Sequence, residues 1–105
     1  MDKAKVITIC GSVKFMEEIN AHTERLSLEG NCVLTVIPLT KGDYSQENFD
    51  ILGTLHYQKI DMSDAIFVVN VNGYIGDSVR SEIEYAQSLN KEIIYLESPK
   101  EGIVL

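Results

Sequence analysis

Short apolar runs alternate along the chain with longer segments in which apolar residues recur every three or four positions. The apolar runs cover residues 6–10, 33–37, 65–71 and 92–96. Runs of this length, rich in Val and Ile and bounded by Gly, Pro or polar residues, are typical of β-strands. The sequence therefore predicts four strands, and the nearly continuous apolarity of the first and third places these two in the interior of a sheet.

The intervening segments predict three helices, over residues 13–29, 45–62 and 78–90. Ser12 is a good N-cap for the first helix, and Gly30 fits the position just after it, where a positive φ is common. Each helix carries an apolar stripe at helical spacing that predicts its buried face. The stripes comprise Phe15, Ile19, His22 and Leu26; Phe49, Leu52, Leu55 and Ile60; and Ile83, Ala86 and Leu89.

The order strand, helix, strand, repeated along the chain, predicts a parallel sheet with helices on both faces. We expect an α/β fold: a three-layer α/β/α sandwich around an open, mainly parallel sheet of four to five strands, Rossmann/flavodoxin-like in architecture. Since no repeat, linker or low-complexity segment interrupts the pattern, residues 1–105 are predicted to form one domain.

The charge balance narrows the range of partners. The formal net charge is −7 at pH 7, which argues against an extended nucleic-acid surface, because such a surface needs clustered Lys and Arg. A mononucleotide is still allowed, since its phosphate needs only a few backbone amides and one cation. No apolar run approaches the ~18 residues of a membrane span. The first residues show no apolar leader, so a cytoplasmic location is expected.

Cysteine and histidine usage predicts neither a disulfide nor a metal centre. Cys10 and Cys32 lie in separate apolar runs without CxxC spacing, and we expect both to be reduced, buried thiols. His22 and His56 lie far apart in the sequence, with no Cys or His at ligand spacing. We therefore expect no metal and no cofactor.

The first candidate site is the end of the first strand and the turn after it, Cys10-Gly11-Ser12-Val13-Lys14. A strand that leads through a glycine into a Ser-capped helix leaves backbone N–H groups free to hold an anion, and Lys14 adds a positive charge. The alternative is an ordinary turn with Lys14 in solvent. The segment matches neither a dinucleotide-binding glycine motif nor a Walker loop.

The second candidate is the polar segment after the third strand, which contains Gly73, Gly76, Asp77 and Ser78 and leads to Glu82 in the first turns of a helix. A carboxylate near the positive end of a helix is favoured in its ionised form. The carboxyl ends of parallel strands also border the usual ligand crevice. Alternatively, Asp77 or Ser78 is only a helix cap and Glu82 a surface acid.

A third group comprises His56, Asp61 and Asp64, near the end of the second predicted helix. His56 titrates near neutral pH when unperturbed, but a lone helical histidine is more often simply packed or solvated. Asp64 is predicted to mark the boundary of the next strand. Asp61 is either a surface charge or a cleft residue.

Two of these motifs together resemble the nucleoside 2-deoxyribosyltransferase superfamily, which includes the 2′-deoxynucleoside 5′-phosphate N-hydrolases. One motif is the opening 9–14 segment, Ile-Cys-Gly-Ser-Val-Lys. The other is Asp77-Ser78 followed by Glu82-Ile-Glu-Tyr-Ala, which is similar to the family pattern D-S-G-T-x-x-E-I-G-Y-A shortened by one residue. The resemblance extends from residue 6 to residue 96, including the order of strands and helices.

The resemblance implies a role for each matching position. Glu82 would be the catalytic glutamate that attacks the anomeric carbon of the sugar. Ser12 and Lys14 would contact a 5′-phosphate, with Ser78 close to it, and Asp77 would act on the nucleobase. Gly11 and Gly76 would shape the backbone of the substrate site.

The chain departs from the family pattern at three positions. His56 stands where the family usually has an aspartate, Thr8 where it often has a substrate-facing tyrosine, and Glu84 where it has a glycine. His56 is thus a candidate replacement for the missing carboxylate, beside Asp77 as the alternative acid.

The expected function is cleavage or transfer of the N-glycosidic bond of a (deoxy)nucleoside or its 5′-monophosphate, with Glu82 as the nucleophile. Two alternatives remain open: a catalytically degenerate nucleotide-binding module of the same fold, and a small scaffold protein. The resemblance and the short chain also imply a homodimer or larger homo-oligomer.

Overall fold

A computed structural model describes residues 3–99 of the chain. Two short 3-10 turns, Val13–Phe15 and Val71–Gly73, precede the first and third α-helices. The regular elements are β1 (Val6–Cys10), α1 (Met16–Leu28), β2 (Cys32–Leu34), α2 (Gln46–Asp61), β3 (Ala65–Val68), α3 (Asp77–Ser88) and β4 (Glu92–Tyr95).

The four strands form one sheet in the order β2-β1-β3-β4, and every neighbouring pair is parallel. The predicted α/β fold is therefore confirmed, with four parallel strands within the described residues. The chain moves outward from β1 to β2 and then crosses back to β3 on the other side of β1. The strand order thus reverses between β1 and β3, and in such sheets ligands bind at this point, outside the carboxyl ends of the strands.

Side chains alternate between the two faces of the sheet, as the pleat requires. On one face, Ile9 and Phe67 pack with Ile19 of α1. On the other face, Cys10 and Val68 belong to the cluster that includes residues of both α2 and α3. The molecule therefore has three layers, and the carboxyl end of β1 presents Cys10 to the layer formed by α2 and α3.

Three predicted strands end earlier than expected, the fourth by a single residue, at Tyr95. The run 33–37 is strand only to Leu34, because β2 is an edge strand whose one partner, β1, pairs with it only as far as Thr8↔Leu34. The run 65–71 is strand only to Val68. Beyond it, the buried side-chain amide of Asn70 replaces the strand ladder, because it donates to the Glu97 carbonyl (2.8 Å) and accepts from the Glu97 N–H (2.9 Å).

The first helix and the second helix also differ from the predictions. Ser12 caps a 3-10 turn instead of an α-helix, so the α-helical part begins only at Met16. In α2, Ile60 is fully buried, but Phe49 and Leu55 are 47% and 45% exposed. The first half of α2 thus borders a cavity and solvent instead of the core.

Both cysteines are free thiols, but only Cys10 is buried. The prediction was wrong for Cys32, which is exposed because it begins the edge strand β2. Within residues 3–99, none of the helices combines the length and the apolar character that crossing a bilayer would require.

Candidate active site

A cavity of about 480 Å³ opens at the carboxyl ends of β1 and β3. Its walls come from the turn after β1, the first half of α2 and the segment that leads into α3. Seven of the residues predicted from the sequence line it, namely Gly11, Ser12, His56, Gly76, Asp77, Ser78 and Glu82, whereas Lys14, Gly73, Asp61 and Asp64 do not. The volume falls in the range of small-molecule sites.

Three side chains from three different elements meet beside this cavity. His56 of α2 places its Nε2 atom 3.6 Å from Cys10 Sγ and 3.5 Å from Glu82 Oε1. Cys10, at the end of β1, is fully buried, His56 is 9% exposed, and the Glu82 side chain is 15% exposed. The cluster is therefore nearly closed to solvent except through the cavity, which His56 and Glu82 line.

The local sequence explains why these side chains converge. Cys10 follows Thr8 on the strand face that points to α2 and α3. His56 lies one helical turn before the buried Ile60, and Glu82 lies one turn after the buried Val79. Residues three or four apart share a helix face. His56 and Glu82 therefore face inward, because each lies on the same helix face as a buried apolar residue that packs against the core.

Burial dominates the electrostatics of the cluster. It raises the pKa of Glu82 to about 7, although a hydrogen bond with the Cys10 thiol acts in the opposite direction. Burial, followed by the positive charge of Lys59, lowers the pKa of His56 to about 4. Burial also raises the pKa of Cys10, and the Glu82 charge adds to this. At neutral pH, Cys10 is a thiol, His56 is neutral and Glu82 is partly ionised, so the His56–Glu82 contact is not an ion pair.

The expectation that the helix dipole would keep the Glu82 pKa low was wrong. α3 begins at Asp77, so Glu82 is the sixth residue of the helix. The field of a helix terminus falls off within the first turn, and the free N–H groups belong to the first four residues. Glu82 lies beyond the first turn and beyond the free N–H groups, so burial away from water is the main influence on its pKa.

The amino end of α3 differs from the prediction as well. The N-cap is Gly76, without a side-chain cap, so neither Asp77 nor Ser78 caps the helix. Asp77 and Ser78 are instead the first helical residues and line the cavity. Since no described side chain caps this turn, its N–H groups are available to an anion in the cavity.

Lys14 does not reach the position in which it was predicted to contact a phosphate. Its ammonium lies over the Tyr74 ring, 3.3 Å from the centroid, and it does not line the cavity although Tyr74 does. The Ser12 hydroxyl accepts a long hydrogen bond (3.4 Å) from the Lys14 backbone N–H. Among the described residues that line the cavity, the cation is Lys59, whose Nζ donates to the Thr35 carbonyl (2.8 Å).

Lys59 and the Cys10 thiol are the polar groups of the site to which the sequence reasoning gave no role there. Lys59 lies three residues after His56 on the same face of α2, and this spacing was a usable signal. Burial lowers the pKa of Lys59. Cys10 stood at the start of the first candidate motif, but its thiol was assigned only to the core, and its place at the carboxyl end of β1 was the signal that could have identified it.

The remaining sequence candidates serve the fold. Asp64 accepts a hydrogen bond from the Val6 N–H (2.8 Å) and so marks the strand boundary, as predicted. Asp61 accepts from the Tyr85 hydroxyl on the outside of the molecule. Thr8 is fully buried, where its hydroxyl donates to the Lys59 carbonyl (3.0 Å) and contacts Ser63. Thr8 therefore fastens α2 to the sheet and does not face the cavity.

The expectation that the chain has no cluster of metal-ligating groups was also wrong. Cys10, His56 and Glu82 each offer one ligand atom, and these atoms all lie within 4.8 Å of one another. Their separation along the chain concealed the cluster, which the fold assembles.

Comparison with known proteins gives no family. The chain matches no protein-family model, and no curated protein is similar enough to count as a match. The resemblance of the two motifs to the deoxyribosyltransferases thus stays a prediction, and the functional argument depends on the site itself.

Proposed function

We propose that this protein cleaves or transfers the N-glycosidic bond of a (deoxy)nucleoside or its 5′-monophosphate, with Glu82 as the nucleophile. The observation that carries the proposal is a carboxylate, 15% exposed, at the cavity that lies at the carboxyl ends of β1 and β3. A carboxylate so placed borders a ligand held in the cavity, and glycoside-cleaving enzymes use a carboxylate beside the bond that breaks.

In the proposed reaction, a Glu82 oxygen attacks the anomeric carbon as the bond to the base nitrogen breaks. The base leaves with the bonding electron pair and takes up a proton, and a glycosyl ester forms on Glu82. Water then releases the sugar, or a second base takes it over. A Glu82 pKa of about 7 leaves a substantial fraction of the carboxylate ionised at neutral pH.

Asp77 is proposed to relay a proton from solvent to the base as it leaves, because its side chain is exposed. His56 is unsuited to this step, because a pKa of about 4 leaves it neutral and without a transferable proton at neutral pH. Asp77 lines the cavity at the exposed amino end of α3. Neutral His56 instead borders Glu82 and can accept a hydrogen bond from a sugar hydroxyl.

The cavity supplies surfaces for both the base and a phosphate. Phe49 offers an aromatic face on which a nucleobase can stack, and Tyr74, one face of which carries the Lys14 ammonium, adds a second aromatic wall. Ser12, Ser78 and the ammonium of Lys59, together with the N–H groups of the first turn of α3, offer hydrogen bonds and positive charge to a phosphate.

The test is base release followed by chromatography, with ribo- and deoxyribonucleosides and their 5′-monophosphates. We expect Glu82→Gln to lower turnover by roughly 10³-fold or more, as removal of a nucleophile does. Glu84→Gln is the matched control, because Glu84 is exposed on the same helix. Full turnover by Glu82→Gln would show that this carboxylate is not the nucleophile.

The second candidate is a nucleotide-binding module without turnover. The specific observation in its favour is His56, which is buried and neutral where the resembled family has a carboxylate. Thermal stabilisation by a monophosphate, with no base released from any substrate of the panel, would favour this candidate over the enzyme.

We also propose that the chain forms a homodimer or larger homo-oligomer. Ile51 and Leu55 lie one turn apart on α2 and are 49% and 45% exposed, which supports contact with a second copy. Sedimentation at several concentrations tests this, and a concentration-independent monomer mass would contradict it. A cytoplasmic location stays a prediction.

A further inference from the structure

We propose that Cys10, His56 and Glu82 form a site for a thiophilic divalent cation such as Zn²⁺, and that the cation inhibits the enzyme by engaging Glu82. The inhibitory half rests on the proposed function, but the binding half stands on the geometry of the three ligands alone.

The distances between the ligand atoms fit a tetrahedral ion. Zn–S bonds are about 2.3 Å long and Zn–N bonds about 2.0–2.1 Å, so a tetrahedral angle at the ion places S and N about 3.5 Å apart. Zn–O bonds of about 2.0–2.2 Å place N and O about 3.4 Å apart in the same way. The corresponding atoms lie 3.6 Å apart for Cys10 and His56 and 3.5 Å apart for His56 and Glu82. The Cys10 and Glu82 ligand atoms lie within 4.8 Å of each other, and a tetrahedral ion separates S and O by about 3.6 Å, so side-chain adjustments of at most about 1.2 Å complete the triangle.

The donor set selects the class of ion. A thiolate and an imidazole suit Zn²⁺ and its neighbours, whereas Mg²⁺ and Ca²⁺ prefer oxygen ligands. Coordination releases the Cys10 thiol proton to solvent. One thiolate and one carboxylate then balance the two charges of the ion, so the buried cluster becomes neutral overall.

The three ligands are also held in advance by separate, well-anchored elements. Cys10 belongs to the interior strand β1, and His56 and Glu82 lie next to buried anchor residues of α2 and α3. Because His56 and Glu82 line the cavity, the fourth coordination position faces it and accepts water or a ligand. Three protein ligands with one open position are typical of accessible zinc sites.

An ion in this position changes what Glu82 can do. The oxygen that would attack the sugar donates its electron pair to the metal instead, and the ion fills space beside the cavity. Zinc and a nucleoside substrate should therefore compete for the same carboxylate.

The binding half is tested with Co²⁺, whose spectrum reports thiolate coordination, and by calorimetric titration with Zn²⁺ of protein stripped with EDTA. We expect one ion per chain and a sulfur-to-cobalt charge-transfer band. Cys10→Ser should abolish the band and weaken Zn²⁺ binding by at least about 100-fold, since loss of even an indirect metal partner costs 10–100-fold. Cys32→Ser, which changes the exposed free thiol, is the matched control and should bind as wild type does.

Loss of the band in Cys32→Ser instead of Cys10→Ser, or a wild-type protein without the band, would overturn the site. The wild-type spectrum decides the matter even if Cys10→Ser does not fold. Glu82→Gln, which keeps the side-chain volume, offers a second variant, and it should retain the band with weaker binding.

The inhibitory half is tested by base release with added Zn²⁺ and then with excess EDTA. We expect inhibition that EDTA reverses and that the Cys10→Ser variant resists. Unchanged or increased turnover with Zn²⁺ bound would overturn this half. Base release without metal binding would refute the metal site and leave the proposed function standing. Metal binding without base release from any substrate would support the metal site and refute the proposed function.

Discussion

Adding one methyl group at Gly11 should destabilise the protein, although the backbone there has an ordinary conformation. A Cβ atom at this position would lie 3.2 Å from Ile19 Cδ1 and 3.2 Å from Val69 Cβ. Carbon atoms prefer separations of about 3.5–4.0 Å. Ile19 and Val69 are 0% and 1% exposed, so neither has free space into which to move.

The expected magnitude follows from this overlap. Overpacking a core of normal density costs about 1–3 kcal/mol, and the reduced freedom of the unfolded chain returns about 0.4–1 kcal/mol. We expect Gly11→Ala to lower the free energy of unfolding by about 1–2 kcal/mol. For a domain near this size, that corresponds to a fall in Tm of about 5–15 °C.

The matched control is Gly53→Ala in the interior of α2. A Cβ atom there would meet no heavy atom within 4 Å, and alanine is favoured over glycine in a helix by about 0.8–1 kcal/mol. The same substitution should thus have opposite effects at the two positions. Urea denaturation followed by circular dichroism measures both. A Gly11→Ala protein as stable as wild type would refute the argument that β1, α1 and the segment after β3 close tightly around this turn.

Three further predictions concern Glu82, Asn70 and Lys59. In EDTA, Glu82→Gln should raise the free energy of unfolding by up to about 3 kcal/mol at pH 8 and by much less at pH 5. The pKa of Glu82 in the folded protein, about 7, lies above its ordinary value of 4.5, so ionisation of the carboxylate destabilises the fold as the pH rises through this interval. A difference between variant and wild type that does not change with pH in urea titrations would contradict this. Asn70→Ala should lower the free energy of unfolding by about 1–3 kcal/mol, since both hydrogen bonds to Glu97 are lost; unchanged urea denaturation would argue against it. Lys59→Met should raise KM for a 5′-monophosphate about tenfold with little effect on a nucleoside; equal effects on the two substrates would exclude a phosphate contact.

The periodicity of the sequence was enough to predict the α/β fold, because each strand and helix carries its own apolar pattern. The strand ends were harder, since they depend on partners elsewhere in the chain. Val69 and Asn70 are as buried as the strand that precedes them, yet the sheet does not continue there. Nothing local distinguishes the apolar residues inside the ladder from those just beyond it.

The candidate site was predicted in part for the same reason. Glycine turns and the amino end of α3 are local features, and their residues do line the cavity. The pKa of Glu82 depends instead on how far into α3 it lies and on what covers it. The position of Lys14 depends on Tyr74, which belongs to a different loop. Such relations arise only when separate elements come together.

The alternation of side chains along β1 has a consequence for how this protein can change. Ile9 fills the layer beneath α1, while its neighbour Cys10 reaches His56 and Glu82 on the opposite side. A one-residue insertion or deletion early in β1 would turn each of these side chains to the opposite face of the sheet. The thiol would then point into the apolar layer beneath α1, and the isoleucine would point at His56 and Glu82. The register of β1 therefore fixes both the packing beneath α1 and the position of the thiol in the site. Variation in length is open to the loops, whereas the strand can vary only by substitution.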